Sequence, residues 1–231
     1  MDSNFPKVLK AVLKHEGGWA DNPKDPGGAT MKGVTIATFR RYVKANATKA
    51  DLRAITDEQL ATVYRRQFWD EVHGAELPSG LDYAMMDYGV NSGPGRAIKE
   101  LQGILGVTVD GRLGPATMAA VGKANTENLI NELCDRRLAF MKRIQGGKLW
   151  QTFGKGWSAR VADVRKQSLL MASQPGTVTV IVDEPKKEPE VIVVPKAPEK
   201  PSLTPNRHGI ASLIAIIGTA IAAAIAYFFG G

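Results

Sequence analysis

Residues 14–30, KHEGGWADNPKDPGGAT, gather a glutamate, two aspartates and a threonine into one glycine-rich stretch. A carboxylic acid that protonates a leaving oxygen, with a second carboxylate nearby, is the equipment for cleaving a glycosidic bond. Glu16 suits the first role. Phe5, Val8, Leu9, Val12 and Leu13 recur at helical spacing, and Glu16 falls on the next position of that apolar stripe, so it faces inward. Gly17 and Gly18 are expected to end the helix there, which sets Glu16 among unpaired carbonyls at the negative end of the helix dipole, beside Trp19. Both surroundings disfavour the anion, and a carboxyl so placed is expected to hold its proton near neutrality, as a general acid must. Asp25 and Asp21 compete for the second role. Each has a turn-forming alternative, Asp21 with Asn22-Pro23 and Asp25 with Pro26-Gly27-Gly28.

The elements that would position these groups read as helices. Thr56-Asp57-Glu58-Gln59 is a capping box that opens a helix through Leu60, Val63, Tyr64 and Phe68 to Trp69. Residues 78–90 form another, with Leu81, Ala84, Met85 and Tyr88 on one side, and residues 91–95 break it. Ile98, Leu101, Gln102 and Leu105 mark the next helix, a turn at Asp110-Gly111 follows, and Gly114-Pro115 starts residues 117–121. Longer helices cover residues 126–144 and 157–171. The body is therefore mostly α, and only residues 17–35 leave room for a loop or small hairpin, with turn chemistry at residues 25–28 and a strand-like Val34-Thr35-Ile36.

Charge and cysteine content narrow the partners. The net charge of +7 lies wholly in residues 1–172, because the 59 residues after them carry five charges of each sign. A basic unit calls for an anionic partner, either nucleic acid, an acidic membrane surface or a polyanionic wall. The arginine pairs Arg40-Arg41, Arg65-Arg66 and Arg136-Arg137 sit on separate segments and read as solvated helix faces, so no nucleic-acid partner is expected. Cys134 stands in the apolar rhythm of Leu129, Ile130, Leu133, Leu138 and Met141 and reads as a core thiol. His15, His73 and His208 are isolated; no metal site and no cofactor is expected, and His15 reads as a surface residue.

After residue 172 the character changes. Residues 173–208 contain seven of the thirteen prolines mixed with Lys, Glu and Val, which is linker composition. Residues 210–229, IASLIAIIGTAIAAAIAYFF, hold no charged side chain, and twenty residues at about 1.5 Å each match a bilayer core of about 30 Å. A single transmembrane helix is expected over 209–229. Met1 and the nine residues after it contain charges and no apolar run, so no secretory signal is read there. Lys196, Lys200 and Arg207 before the span, with no basic residue after it, favour a cytoplasmic amino-terminal side.

The motifs Glu16-Gly17-Gly18-Trp19, Asp25-Pro26-Gly27-Gly28-Ala29-Thr30 and Gly33-Val34-Thr35 together resemble glycoside hydrolase family 108, the N-acetylmuramidases of phages and of some bacterial secretion systems. Phe68-Trp69-Asp70, residues 87–93, Leu101-Gln102, Val109-Asp110-Gly111 and residues 114–117 resemble the peptidoglycan-binding region that accompanies such enzymes. The resemblance implies a lysozyme-like helical fold and lysozyme activity on the β-1,4 bond between N-acetylmuramic acid and N-acetylglucosamine, with Glu16 as catalytic acid. Asp25 and Thr30 are similar in order to the Glu, Asp, Thr set of phage-type lysozymes, in which the last two position an attacking water; Thr30 comes one residue earlier than in that pattern.

Trp19, Trp69 and Asn91 are candidate substrate contacts. Asn91 lies one turn from Asp87, where the pair can either bond substrate or lock the helix to the catalytic loop. The expected organisation is a catalytic region over 1–91, a peptidoglycan-binding helical region over 92–172, a linker over 173–208 and a membrane helix over 209–229. That describes an endolysin held at the inner membrane and acting on periplasmic peptidoglycan, released with a holin-like partner. A lytic transglycosylase, or a non-catalytic membrane-to-wall tether or secretion factor, are the alternative readings.

Overall fold

One helix is buried on every face, and the others are arranged around it. In the computed structural model, which describes residues 2–22 and 27–174, every residue of this helix (α5, Leu81–Ser92) is buried. Such a helix carries no amphipathic stripe. It is flanked by α1 (Phe5–Leu13), α6 (Pro94–Leu105), α8 (Thr126–Arg143) and α9 (Lys148–Ser173). Gly80, the N-cap residue just before it, has φ +87° and passes so close to α9 that a Cβ there would strike the Ser168 carbonyl. Asp82 closes this end, accepting from the amides of Gly80 and Tyr83 at 2.8 and 2.7 Å and from Asn4 Nδ2 at 2.8 Å. The apolar core runs continuously from Phe5 and Val8 on α1 through Met85 and Tyr88 on α5 to Leu101, Ile130 and Val164.

Local chemistry sets most helix ends. Thr35 caps α2 (Ile36–Tyr42), and Thr48 with Asp51 forms a reciprocal capping box on α3 (Lys49–Arg53). The box expected at Thr56 and Gln59 opens α4 (Asp57–Tyr64), which runs on into a π-helical turn over Arg65–Trp69. Gly93, at φ +86°, separates α5 from α6, and Pro115 begins α7 (Pro115–Lys123).

The structure departs from the sequence reading in several places. Helix α1 stops at Leu13, three residues before Glu16, because its last turn tightens: His15 N bonds Val12 O at 3.0 Å and Glu16 N bonds Leu13 O at 3.2 Å. The hairpin turns at Lys32 and Gly33, both with positive φ, and pairs β1 (Thr30–Met31) with β2 (Val34–Thr35), Thr30 opposite Thr35. Helices α2 and α3 were not anticipated, being too short to show a periodic stripe. Helix α9 begins at Lys148, nine residues before Trp157, where Trp150, Phe153 and Trp157 pack together over Cys134 and Met141. Cys134 is a buried free thiol. Arg137 is no solvated arginine: it is 1% exposed, whereas its neighbour Arg136 pairs with Glu132 on the surface.

No helix among the described residues is long and apolar enough to cross a membrane, and among them no group of His, Cys, Asp and Glu is arranged to hold a metal ion. The expected linker over 173–208, from residue 175 on, and the expected span over 209–229 lie outside the described residues.

Candidate active site

Glu16 lies in the turn after α1 with its side chain 9% exposed. Its Oε1 accepts a bond from Arg160 of α9 at 3.0 Å. Its Oε2 faces the hairpin tip, where a Cβ on Gly33 would lie 2.8 Å from it. Only a glycine lets the backbone come this close, and the φ of +78° at Gly33 independently favours glycine. Tyr64 of α4 braces the same tip by donating its hydroxyl to Lys32 O at 2.9 Å. Burial, and then the negative charge of Glu16, hold the Tyr64 phenol well above its ordinary value, so it remains a neutral donor.

Behind Glu16 runs a buried chain of alternating charge. Arg160 forks onto Asp87 of α5, with Nη2 to Oδ2 at 2.8 Å and Nε to Oδ1 at 3.1 Å, and Asp87 Oδ1 accepts a second arginine, Arg137 of α8, at 2.7 Å. Burial alone would push the Asp87 carboxyl up, but the two guanidiniums overcome it and hold the group well below the usual carboxylate range. Arg160 is likewise kept charged against burial by Asp87 and Glu16.

His15, next to Glu16, is also held by α9. Its Nε2 lies 3.0 Å from Asp163 Oδ2, so it is not the surface histidine expected from its position. Arg160 and Asp163, one helical turn apart, thus grip two consecutive residues of the turn that carries Glu16.

The candidate residues are distributed unevenly around this centre. Thr30 is buried in β1, its hydroxyl donating to Gly28 O at 3.3 Å and its backbone bridged to Ala20. Asp25 lies outside the described residues. Its competitor Asp21 is paired with Lys49 at 2.9 Å on the surface. Trp19 is half-buried, with the Arg53 guanidinium 5.5 Å from its ring centre. Trp69 is a core residue: it is fully buried, tilted against Phe5 at 5.5 Å, and so close to Gly74 that a Cβ there would strike its ring, leaving no face for a sugar. Asn91 is 8% exposed, and its Oδ1 accepts from Ser92 at 3.0 Å. Asp87 ties its helix to the turn carrying Glu16 through Arg160.

The sequence model of the glycosyl hydrolase 108 family matches residues 9–93, and that of a predicted peptidoglycan domain matches residues 96–162. No curated protein matches the chain. A solved structure of Brucella abortus SagA is 42% identical over 77% of this chain and 100% of SagA, with a TM-score of 0.68. The chain belongs to the glycosyl hydrolase 108 family. It is a glycoside hydrolase, and the adjoining peptidoglycan domain identifies peptidoglycan as its substrate. Within this glycosyl hydrolase the charged chain crosses from one matched segment to the other: Glu16 and Asp87 come from the hydrolase segment, Arg137 and Arg160 from the peptidoglycan segment. The arginines were missed by sequence reasoning although a signal was there. Arg160 stands three residues after Trp157 and four before Val164, and Arg137 four after Leu133 and four before Met141, all buried positions. A cation on a buried stripe demands a buried anion.

Proposed function

We propose that this glycosyl hydrolase is an N-acetylmuramidase that cuts the β-1,4 bond between N-acetylmuramic acid and N-acetylglucosamine. The observation that carries the reading is the Glu16 carboxyl, nearly enclosed, with one oxygen held by Arg160 and the other facing the hairpin tip. In the proposed reaction Glu16 Oε2 gives its proton to the glycosidic oxygen as the bond from that oxygen to the muramic acid C1 breaks. Water then adds to C1, and its proton passes to the second carboxylate, Asp25, with Thr30 helping to orient the water. Trp19 is the proposed stacking platform, with Asn91 as a further substrate contact. We also propose that residues 209–229 anchor the enzyme in the inner membrane after a linker over 173–208, as in an endolysin released by a holin-like partner.

Digestion of purified peptidoglycan, followed by mass and anomeric analysis of the products, tests the bond and the chemistry together. The expected products are hydrated muropeptides with reducing N-acetylmuramic acid. Anhydro sugars would sink the hydrolytic reading in favour of a transglycosylase. Glu16→Gln is expected to lower the rate by about 10²–10⁴, and undiminished digestion by that variant would remove Glu16 from the mechanism.

A further inference from the structure

Three observations meet at Arg160. Its guanidinium is 14% exposed and bridges Glu16 to Asp87, a carboxylate with no exposure at all. It binds only Oε1 of Glu16, while Oε2 faces the one residue of the hairpin tip that lacks a Cβ. It belongs to α9, outside the segment that matches the hydrolase family and inside the one that matches the peptidoglycan domain.

We propose that Arg160 is a positioning residue for the general acid: by fixing Oε1 it presents Oε2 as the oxygen that carries the transferable proton, so the peptidoglycan-domain segment completes the hydrolase site. The inference rests on Glu16 being the acid. A carboxyl bonded through one oxygen to a cation cannot rotate freely, and its proton resides on the other oxygen. After transfer, the same guanidinium stabilises the carboxylate left behind, which makes Glu16 a readier donor. Among the described residues, the groups facing Glu16 from the surrounding elements are Arg160 on α9, Asp87 on α5 behind it, Tyr64 on α4 and His15 beside it with Asp163 on α9. Arg160 is the one permanently charged cation of this set. Asp87 keeps its own second arginine, Arg137, so losing Arg160 does not strand a bare anion.

The test uses the full chain and five proteins: the parent, Arg160→Met, Arg160→Lys, Glu16→Gln and, as a control on another cation of the same helix, Arg165→Met. Turnover on purified peptidoglycan is followed over a concentration series and from pH 4 to 9, with wall binding by sedimentation and folding by circular dichroism. Arg160→Met is expected to lower kcat at least tenfold with KM within twofold and wall binding unchanged. Its alkaline limb should also move up, because removing an adjacent cation favours the protonated carboxyl. Arg160→Lys should recover part of kcat and return the limb toward the parent, and Arg165→Met should match the parent. A folded Arg160→Met with parental kcat and limb overturns the inference, as does one with lowered kcat, an unmoved limb and no rescue by lysine, which is the signature of a merely structural residue. If Arg160→Met does not fold, Arg160→Lys decides: parental kcat refutes the positioning role, and reduced kcat with an upward-shifted limb supports it. An active Glu16→Gln would instead overturn the assignment of the acid itself, a result separable from any outcome at Arg160.

Discussion

Glu16 and Gly33 face each other across a gap that admits no methyl group, and each has a measurable consequence. Gly33→Ala places a Cβ 2.8 Å from Glu16 Oε2 and against the Tyr64 hydroxyl, at a φ of +78°. The backbone strain alone costs about 1–3 kcal/mol, and relief of the clash moves either the hairpin tip or Glu16. Urea unfolding should show the loss of stability and wall clearing a larger loss of rate; a parental rate would mean that Oε2 does not face the substrate. Asp87 has a different signature. Its folded carboxyl is held far down by two arginines, so its stabilisation is complete above the unfolded value of about 3.9 and drains as pH falls toward the folded value, since the unfolded chain takes up the proton first. Thermal unfolding between pH 6 and pH 3 should therefore show an acid-dependent loss in the parent that flattens in Asp87→Asn. That variant should also lose about 3–5 kcal/mol at neutral pH, because it removes the buried partner of both arginines.

At the scale of elements, what was legible depended on how local the cause was. The box at Thr56 and Gln59 could be read because four consecutive residues make it. Thr56→Ala is expected to cost about 1 kcal/mol, seen as a lower urea midpoint with an unchanged slope, while the hydrolytic rate stays parental because the box lies on the exposed start of α4. The stripe of α1 was legible for the same reason, but it carried the helix on to Glu16, whereas α1 ends at Leu13 and Glu16 lies in the turn that follows. The turn at Lys32-Gly33 went unread because residues 25–28 carry the stronger turn composition, although the pairing of Thr30 with Thr35 requires a turn between them. Helix α9 was begun too late, since Trp150 and Phe153 point into a small aromatic cluster with Trp157 that no pattern over residues 148–156 declares.

For the whole molecule, the central feature is that helices from both matched segments converge on one carboxyl group. The solved SagA structure aligns with 77% of this chain and is covered completely by it. A chain ending at Gln174 is therefore expected to fold and to clear peptidoglycan at the parental rate. If residues 209–229 are the anchor, that truncation should also leave the membrane fraction on sedimentation while the full chain stays in it; equal partitioning of the two would end the tether proposal. The amino-acid sequence by itself determined the helical class, the family and the composition break after residue 172, because periodicity, capping and motif spacing are short-range properties of the chain. It also named Trp69 as a substrate contact, and packing against Phe5 and Gly74 made that ring part of the core. Only the tertiary structure decided which cation serves Glu16: residues 16, 87, 137 and 160 are brought together by helices α5, α8 and α9. A buried charge is specified by whichever opposite charge the fold brings to it, and that pairing has no spacing in the sequence.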